Sequence, residues 1–275
     1  MFDSLVLIRG GGDLGSGTVH RLHESGFRNL FVLETGQPLA IRRTVCFSEA
    51  IFSWACEVEG VKAVRVHTPD EKPAGMVGVV VDPQGVWIRR ACCDILIDAR
   101  MRKCESDARI SDAPIVIGLG PGFEAGVHAH AVIETMRGHT LGRVIRQGRT
   151  LPNTGKPGEI GGQDVLRVLR APCDGVIEKC AVIGDRVKEG QVLAEVCGIP
   201  IRAPISGLLR GFLRSGLQVE RGLKVGDIDP RTDVDIHLIS DKSRAVAGGV
   251  LEGILSLWNA AVACHIRQNG GIHSS

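Results

Sequence analysis

Apolar residues in the first half of the chain gather into short unbroken runs at 5–8, 30–33, 77–81, 95–97 and 115–117. A short run without alternation is the pattern of a strand covered on both faces, as in a parallel sheet. Between the first two runs, Leu14, Val19 and Leu22 keep helical spacing until Gly26, which stands where a C-cap glycine should. Strand, turn, helix and strand in that order predict an α/β fold, with residues 1–150 as a Rossmann-like doubly wound sheet domain that binds a nucleotide.

The turn before that helix reads Gly10-Gly11-Gly12-Asp13-Leu14-Gly15 and fits G-x-G-x-x-G at Gly10, Gly12 and Gly15. In such a motif the first glycine permits a tight turn, the second lets the backbone approach a pyrophosphate, and the third lets helix pack closely on strand. The second apolar run ends at Glu34, about 20 residues on, where a dinucleotide fold places the acid that bonds a ribose hydroxyl. Gly10, Gly12, Gly15 and Glu34 are the expected cofactor contacts, with a turn shaped only by its glycines as the alternative. Asp13 runs against the reading, because a carboxylate in the loop repels phosphate unless it points away or caps the helix.

Open α/β sheets bind ligands at the carboxyl ends of their strands, which singles out Asp82, Asp98 and Gly118 at the ends of later runs. Turn capping is the other use of such aspartates. Gly118, Gly120, Gly122 and Gly126 make a second flexible loop, expected to face the first across a cleft and to share the cofactor. His128, His130 and Glu134 lie close enough in sequence for an acid–base or metal cluster, with structural or solvated histidines as the alternative; no metal site is assigned. Asp98 and His130 are the candidate acid–base residues. Arg42 and Arg43 offer two guanidinium forks for phosphate or carboxylate, and Cys46 beside them is a candidate nucleophile without a visible histidine partner.

The second half carries an internal repeat. Ala171, Pro172, Gly175, Gly184, Val187, Gly190 and Val196 recur 32 residues later as Ala203, Pro204, Gly207, Gly216, Val219, Gly222 and Ile228. Each unit reads as three short strands with glycine at the corners, so the two are expected to pair by pseudo-twofold symmetry into one small flattened β-barrel over 166–230. The pattern A-P-x-x-G…G-D-x-V-x-x-G-Q-x-L resembles the biotinyl/lipoyl carrier domain. That family carries its modified lysine in the hairpin between the halves; here the hairpin, 196–201, has no lysine and shows Cys197 at its tip. The resemblance therefore implies a carrier-type scaffold with neither biotin nor lipoate. Residues 151–165, dense in Pro and Gly, read as an interdomain loop. Residues 231–258 read as a short strand and a helix, capped by Ser240 or Asp241, whose stripe of Val246, Val250, Leu251, Ile254, Leu255 and Trp258 packs back on the first domain. Residues 259–275 read as a frayed tail.

Composition narrows the function classes. Lys and Arg number 33 against 31 Asp and Glu, a net charge of +2, too small for a general footprint on nucleic acid or anionic lipid. With no Tyr and 4% aromatics, base stacking is disfavoured as well. The nine cysteines are odd in number, scattered and free of CxxC, unlike a secreted disulfide framework. No apolar run approaches the ~18 residues of a membrane span, and the four-residue run at 5–8 is too short for a signal peptide. The expected setting is the reducing cytoplasm, without nucleic acid or membrane as partners.

The motifs GGGDLGSG (10–17), IRRTVCFSEA (41–50), IGLGPGF (117–123), HAVIET with RGH (130–139), PNTGKPGEIGG (152–162), GDIDPR (226–231) and SDKSRAVAGGVLE (240–252) occur in that order. Together they resemble the accessory proteins of selenium-dependent molybdenum hydroxylase systems, the YqeB-type family, over residues 1–257. The resemblance implies a part in equipping the hydroxylase's cofactor site with selenium or otherwise maturing it, beside the hydroxylase or its maturation machinery. It supplies no reaction and no catalytic residues. The expected ligand is NAD(P) or the dinucleotide form of the molybdenum cofactor. Two other classes stand beside this one: an NAD(P)-dependent oxidoreductase on a small substrate, using Asp98 or His130, and a non-catalytic assembly chaperone.

Overall fold

The computed structural model describes residues 1–102, 104, 106–152, 166–179 and 181–269, with side chains as far as residue 259. Most of the expected interdomain loop lies outside the described residues. The first part of the chain runs β1 (Val6–Arg9), α1 (Asp13–Glu24), β2 (Leu30–Glu34), α2 (Ala50–Ser53), β3 (Ala55–Val58), β4 (Val61–Arg65) and β5 (Val77–Val81). It continues through α3 (Val86–Ala91), β6 (Ile95–Asp98), β7 (Ile115–Leu119), β8 (Glu124–Ala125), β9 (Ala131–Ile133), β10 (Val144–Ile145) and β11 (Gly148–Arg149).

Nine of these strands form one sheet in the order β10-β9-β7-β6-β1-β2-β5-β4-β3. Neighbours from β9 across to β4 are parallel, while β10 and β3 close the two edges antiparallel. The apolar runs are strands because the sheet is covered twice. Val6, Ile8, Val32, Ile95 and Ile97 point into one core. Leu7, Phe31, Leu33, Leu96 and Val116 point into another on the opposite face.

This sheet corrects the expected fold. A doubly wound Rossmann-like domain carries crossover helices on both faces of a parallel sheet. Here α1 packs on one face through Val19 and Leu22. The opposite face is covered by the short α3, through Ile88, and by loop residues such as Phe123. The cause lies in the connections. Between β6 and β7 the sequence is rich in charge and has no helical apolar spacing, and its described residues hold only a 3-10 turn at Ile110–Asp112. The antiparallel edges need no crossover helix at all.

The second part runs β12 (Val168–Arg170), β13 (Gly175–Glu178), β14 (Arg186–Val187), β15 (Val192–Val196), β16 (Ile199–Arg202), β17 (Gly207–Phe212), β18 (Gln218–Val219), β19 (Lys224–Asp229) and α4 (Asp241–Asn269). Its strands make two antiparallel sheets of four, β12-β19-β17-β14 and β16-β15-β13-β18, around a shared core that includes Ile177, Leu193, Leu209, Phe212 and Ile228. The expected small closed barrel is corrected accordingly: among the described residues no ladder joins one sheet to the other. Strands β14 and β18, at the sheet edges, are two residues long and too short to carry pairing across. The 32-residue repeat is expressed as an exchange, since β13, β14 and β15 each lie in the sheet opposite their repeat mates β17, β18 and β19.

Ser240 caps α4, its Oγ accepting the Ser243 N–H at 3.1 Å. Val246, Val250 and Ile254 then join the same core as α1, so both long helices share one face of the large sheet. A Cβ at Gly249 would overlap the Gly142 carbonyl oxygen, which explains a glycine within a helix. The helix continues to Asn269, past the expected tail boundary, because no glycine or proline interrupts 260–269. Among the described residues, no helix is long and apolar enough to cross a membrane.

The two parts meet along the motif at 41–50. Phe212 N–H donates to the Ile41 carbonyl at 2.8 Å, Arg43 Nε to the Phe212 carbonyl at 2.9 Å, and Arg214 pairs with Glu49 at 2.6 Å. Arg42 and Thr44 reach the chain ahead of α4, at the carbonyls of Leu238 (2.7 Å) and Ile236 (2.5 Å).

Candidate functional site

Strand β1 delivers the chain into the first glycine turn. Gly10 has φ +98°, a left-handed conformation that disfavours a side chain. A Cβ at Gly15 would overlap the Gly10 carbonyl oxygen, so α1 lies closer to the turn than any other residue permits. Gly12 differs: a Cβ there meets no atom within 4 Å. Helix α1 starts directly after it with no side-chain cap. Its first N–H groups, which have no partner within the helix, thus adjoin a cleft of about 510 Å³. Gly10, Gly12, Asp13 and Leu14 form one wall, Glu34 and Thr35 a second, Pro38, Leu39, Ala40 and Ser48 a third, and Ala99, Arg100 and Met101 a fourth.

Glu34 reaches this cleft while bracing its floor. Its Oε2 accepts the Gly11 N–H and its Oε1 the Thr35 N–H, each at 2.8 Å. Burial pushes its carboxyl above the usual range against the pull of those two hydrogen bonds. Asp13, which ought to repel an anion, is paired with the buried Arg42, whose Nη1 lies 3.3 Å from both carboxylate oxygens. Ser48 is fully buried, its N–H donates to the Gly11 carbonyl at 3.1 Å, and its Oγ has no hydrogen-bond partner. An unpartnered buried hydroxyl is uncommon and costly. Sequence periodicity gave no sign of Ser48; its place in the motif at 41–50 was the available signal.

The remaining candidates do other work. Asp98 is fully buried and receives Arg100 through Nε at 2.9 Å and Nη2 at 2.5 Å, with Arg9 at 3.6 Å. Asp98 therefore orients Arg100, which lines the cleft, and does not line it itself. His130 accepts the Val116 N–H through Nδ1 at 3.0 Å, outside the cleft, and burial lowers its pKa, favouring neutral imidazole. His128 Nδ1 accepts the Glu124 N–H at 3.0 Å. The Glu134 carboxylate accepts N–H groups of Thr135, Met136 and Leu151. Among the described residues, no group of three His, Cys, Asp or Glu could hold a metal ion. Asp82 caps α3, taking the N–H groups of Val86 and Trp87. Burial pushes the Cys46 thiol well above its usual range, which suppresses the thiolate a nucleophile needs.

The second glycine loop does not share the cleft. A Cβ at Gly118 would overlap the Phe123 ring, and one at Gly122 would lie 2.8 Å from the carbonyl oxygens of Arg102 and Cys104. Gly120 packs against Thr135 Oγ1 and Met101. Met101, which packs on Gly120, also lines the cleft.

These features define a protein with a mixed central sheet and an open cleft at a helix N-terminus; no family model matches the chain. Over 264 residues, 94% of its length, the chain is 44% identical to the uncharacterized protein YqeB of Escherichia coli (strain K12), which supports the YqeB-type resemblance of its motifs. The chain spans about half of that relative, 48% of its length. Among solved structures, it is similar to an aspartoacylase family protein from Mesorhizobium loti, at 13% identity and a TM-score of 0.26, covering 83% of this chain and 85% of that one. A succinylglutamatedesuccinylase/aspartoacylase from Rhodobacter sphaeroides gives 14% and 0.27, covering 82% and 85%. The product-bound ectoine utilization protein EutE (DoeB) from Ruegeria pomeroyi gives 11% and 0.24, covering 81% and 56%. Likenesses this distant carry no argument about activity.

Proposed function

We propose that the cleft binds the phosphate of a nucleotide or dinucleotide, NAD(P) or the dinucleotide form of the molybdenum cofactor, and that the protein serves in maturing a selenium-dependent molybdenum hydroxylase. The observation that carries the binding reading is the uncapped start of α1 at Gly12, with open space where a Cβ would stand. A helix N-terminus offers free N–H groups and a favourable dipole to an anion. Arg42 offsets the charge of Asp13, and the volume suits a small-molecule site. The N–H groups at Gly12 and beyond would hold the phosphate; Glu34 would meet the sugar.

The maturation reading rests on the identity with YqeB and the motif order, and it concerns a protein of which this chain spans about half. The two residues expected to serve an oxidoreductase as acid–base, Asp98 and His130, lie off the cleft walls, and the carboxylates that line it, Glu34 and Asp13, are engaged by backbone N–H groups and by Arg42, which favours a carrier or assembly role over hydride transfer. Calorimetric titration with NAD and NADP tests the site. Wild type is expected to bind, with NAD preferred because Glu34 repels a 2′-phosphate. Gly12→Leu is expected to weaken binding by about tenfold or more, about 1.4 kcal/mol, with a thermal midpoint lowered by no more than a few degrees. Unchanged affinity in that variant removes the site. For the role itself, wild type is expected to restore hydroxylase activity to a host lacking the gene, and Gly12→Leu to fail.

A further inference from the structure

The hairpin at 196–201 takes no part in the cleft, and it brings an exposed cysteine beside another from distant sequence. Cys173 precedes β13 and Cys197 follows β15, strands that pair antiparallel with Ile177 opposite Val196. That pairing lays the two cysteines side by side. Each thiol then donates to the carbonyl beside the other cysteine: Cys173 Sγ to Val196 O and Cys197 Sγ to Asp174 O, both at 3.5 Å. Neither is disulfide-bonded; Cys197 is exposed and Cys173 half-buried.

The backbone is shaped to bring them together. Cys197 stands at φ +50°, a left-handed conformation unusual for a residue with a side chain. It turns its sulfur across Gly175, where a Cβ would lie 2.5 Å from Sγ. Glycine at 175 thus leaves room for the Cys197 sulfur. Among the other described cysteines, Cys92 and Cys93 are adjacent in the chain and Cys104 is exposed; Cys56 reaches the carbonyls of Cys46 and Phe47 at 4.0 and 3.6 Å, but Cys46 is sealed in the core.

We propose that Cys173 and Cys197 form a redox-active dithiol that exchanges with low-molecular-weight disulfides. Cys197, the exposed thiol, attacks as thiolate on one sulfur of oxidised glutathione. The S–S bond breaks, a Cys197–glutathione mixed disulfide forms, and the first glutathione leaves as thiolate, taking up the proton that Cys197 lost. Cys173 then loses its proton and attacks the Cys197 sulfur, expelling the second glutathione and closing the Cys173–Cys197 disulfide. The protein is oxidised by two electrons and the glutathione disulfide reduced by two. Desolvation, and then the neighbouring Cys197, raise the pKa of the Cys173 thiol, consistent with its acting second.

The test uses the full chain, incubated with oxidised glutathione, alkylated and mapped by peptide mass spectrometry. Wild type is expected to yield a 173–197 cross-linked peptide, with no glutathione left on either cysteine, that reduced dithiothreitol reopens. Cys173→Ser is expected to stop at a glutathione adduct on Cys197. Cys197→Ser is expected to give neither adduct nor cross-link at this hairpin. In wild type alone, a persistent adduct on Cys197 with Cys173 still free, or a disulfide linking other cysteines, overturns the proposal.

Discussion

The two glycine loops look alike in sequence and differ in what occupies the space beside them. Both follow an apolar strand, at the ends of β1 and β7. At the first, Gly12 faces emptiness and the helix behind it starts without a cap. At the second, the Phe123 ring fills the place above Gly118, and backbone carbonyls close on Gly122. A glycine is needed wherever a Cβ cannot go, whether a ligand or the protein itself lies in the way. What separates the cases is the residue packed beside the loop, and for the second loop that residue is Phe123.

The largest expected break in this comparison is Phe123→Ala. The ring is fully buried, and its loss is expected to cost about 3–5 kcal/mol, read as a lower urea midpoint. The same variant sharpens the comparison through coupling. Gly118→Ala alone is expected to cost about 1–3 kcal/mol by overpacking against the ring, and much less once the ring is gone. Additive costs would mean that Phe123 is not what keeps residue 118 a glycine. Gly12→Ala, by contrast, is expected to cost under about 1 kcal/mol, since its Cβ enters open space at a helix N-cap. A loss at Gly12 as large as at Gly118 would make both loops packing features and remove the cleft's distinction.

That difference also marks what the sequence can and cannot carry. The strands at 77–81 and 115–117 were legible because burial on both faces leaves an unbroken apolar run. The turn at Gly10, Gly12 and Gly15 was legible because its spacing encodes local geometry. The fold class was misread, since a parallel run does not say whether the next connection will be a helix or, as after β6, a charged loop. The packing of the second loop was not legible because the carbonyls of Arg102 and Cys104, which close on Gly122, arrive by tertiary packing. Ser48 left no periodic signal, as one buried hydroxyl alters neither spacing nor hydropathy. The pairing of Asp13 with Arg42 spans 29 residues, and no local pattern announces it.

The smallest expected effect is a pH dependence confined to the first loop. Glu34 braces Gly11 through Oε2 while sitting largely out of water, and burial holds its carboxyl above the ordinary glutamate value. In the window between the unfolded and folded pKa values, the folded protein binds more protons than the unfolded chain. The stability Glu34 contributes is therefore fully present below its unfolded pKa and is lost as pH rises through its raised folded pKa. Glu34→Gln cannot ionise and keeps one acceptor oxygen for the loop, so it lacks this loss. Urea midpoints taken from about pH 4 to about pH 7 are expected to show wild type falling relative to Glu34→Gln across that window and running parallel above it. The second loop, 118–122, contains no titratable side chain, so Gly118→Ala is expected to track wild type at every pH. A constant gap between wild type and Glu34→Gln would show that the carboxylate is as well solvated in the folded protein as in the unfolded chain, and the brace between Glu34 and Gly11 would no longer distinguish the two loops.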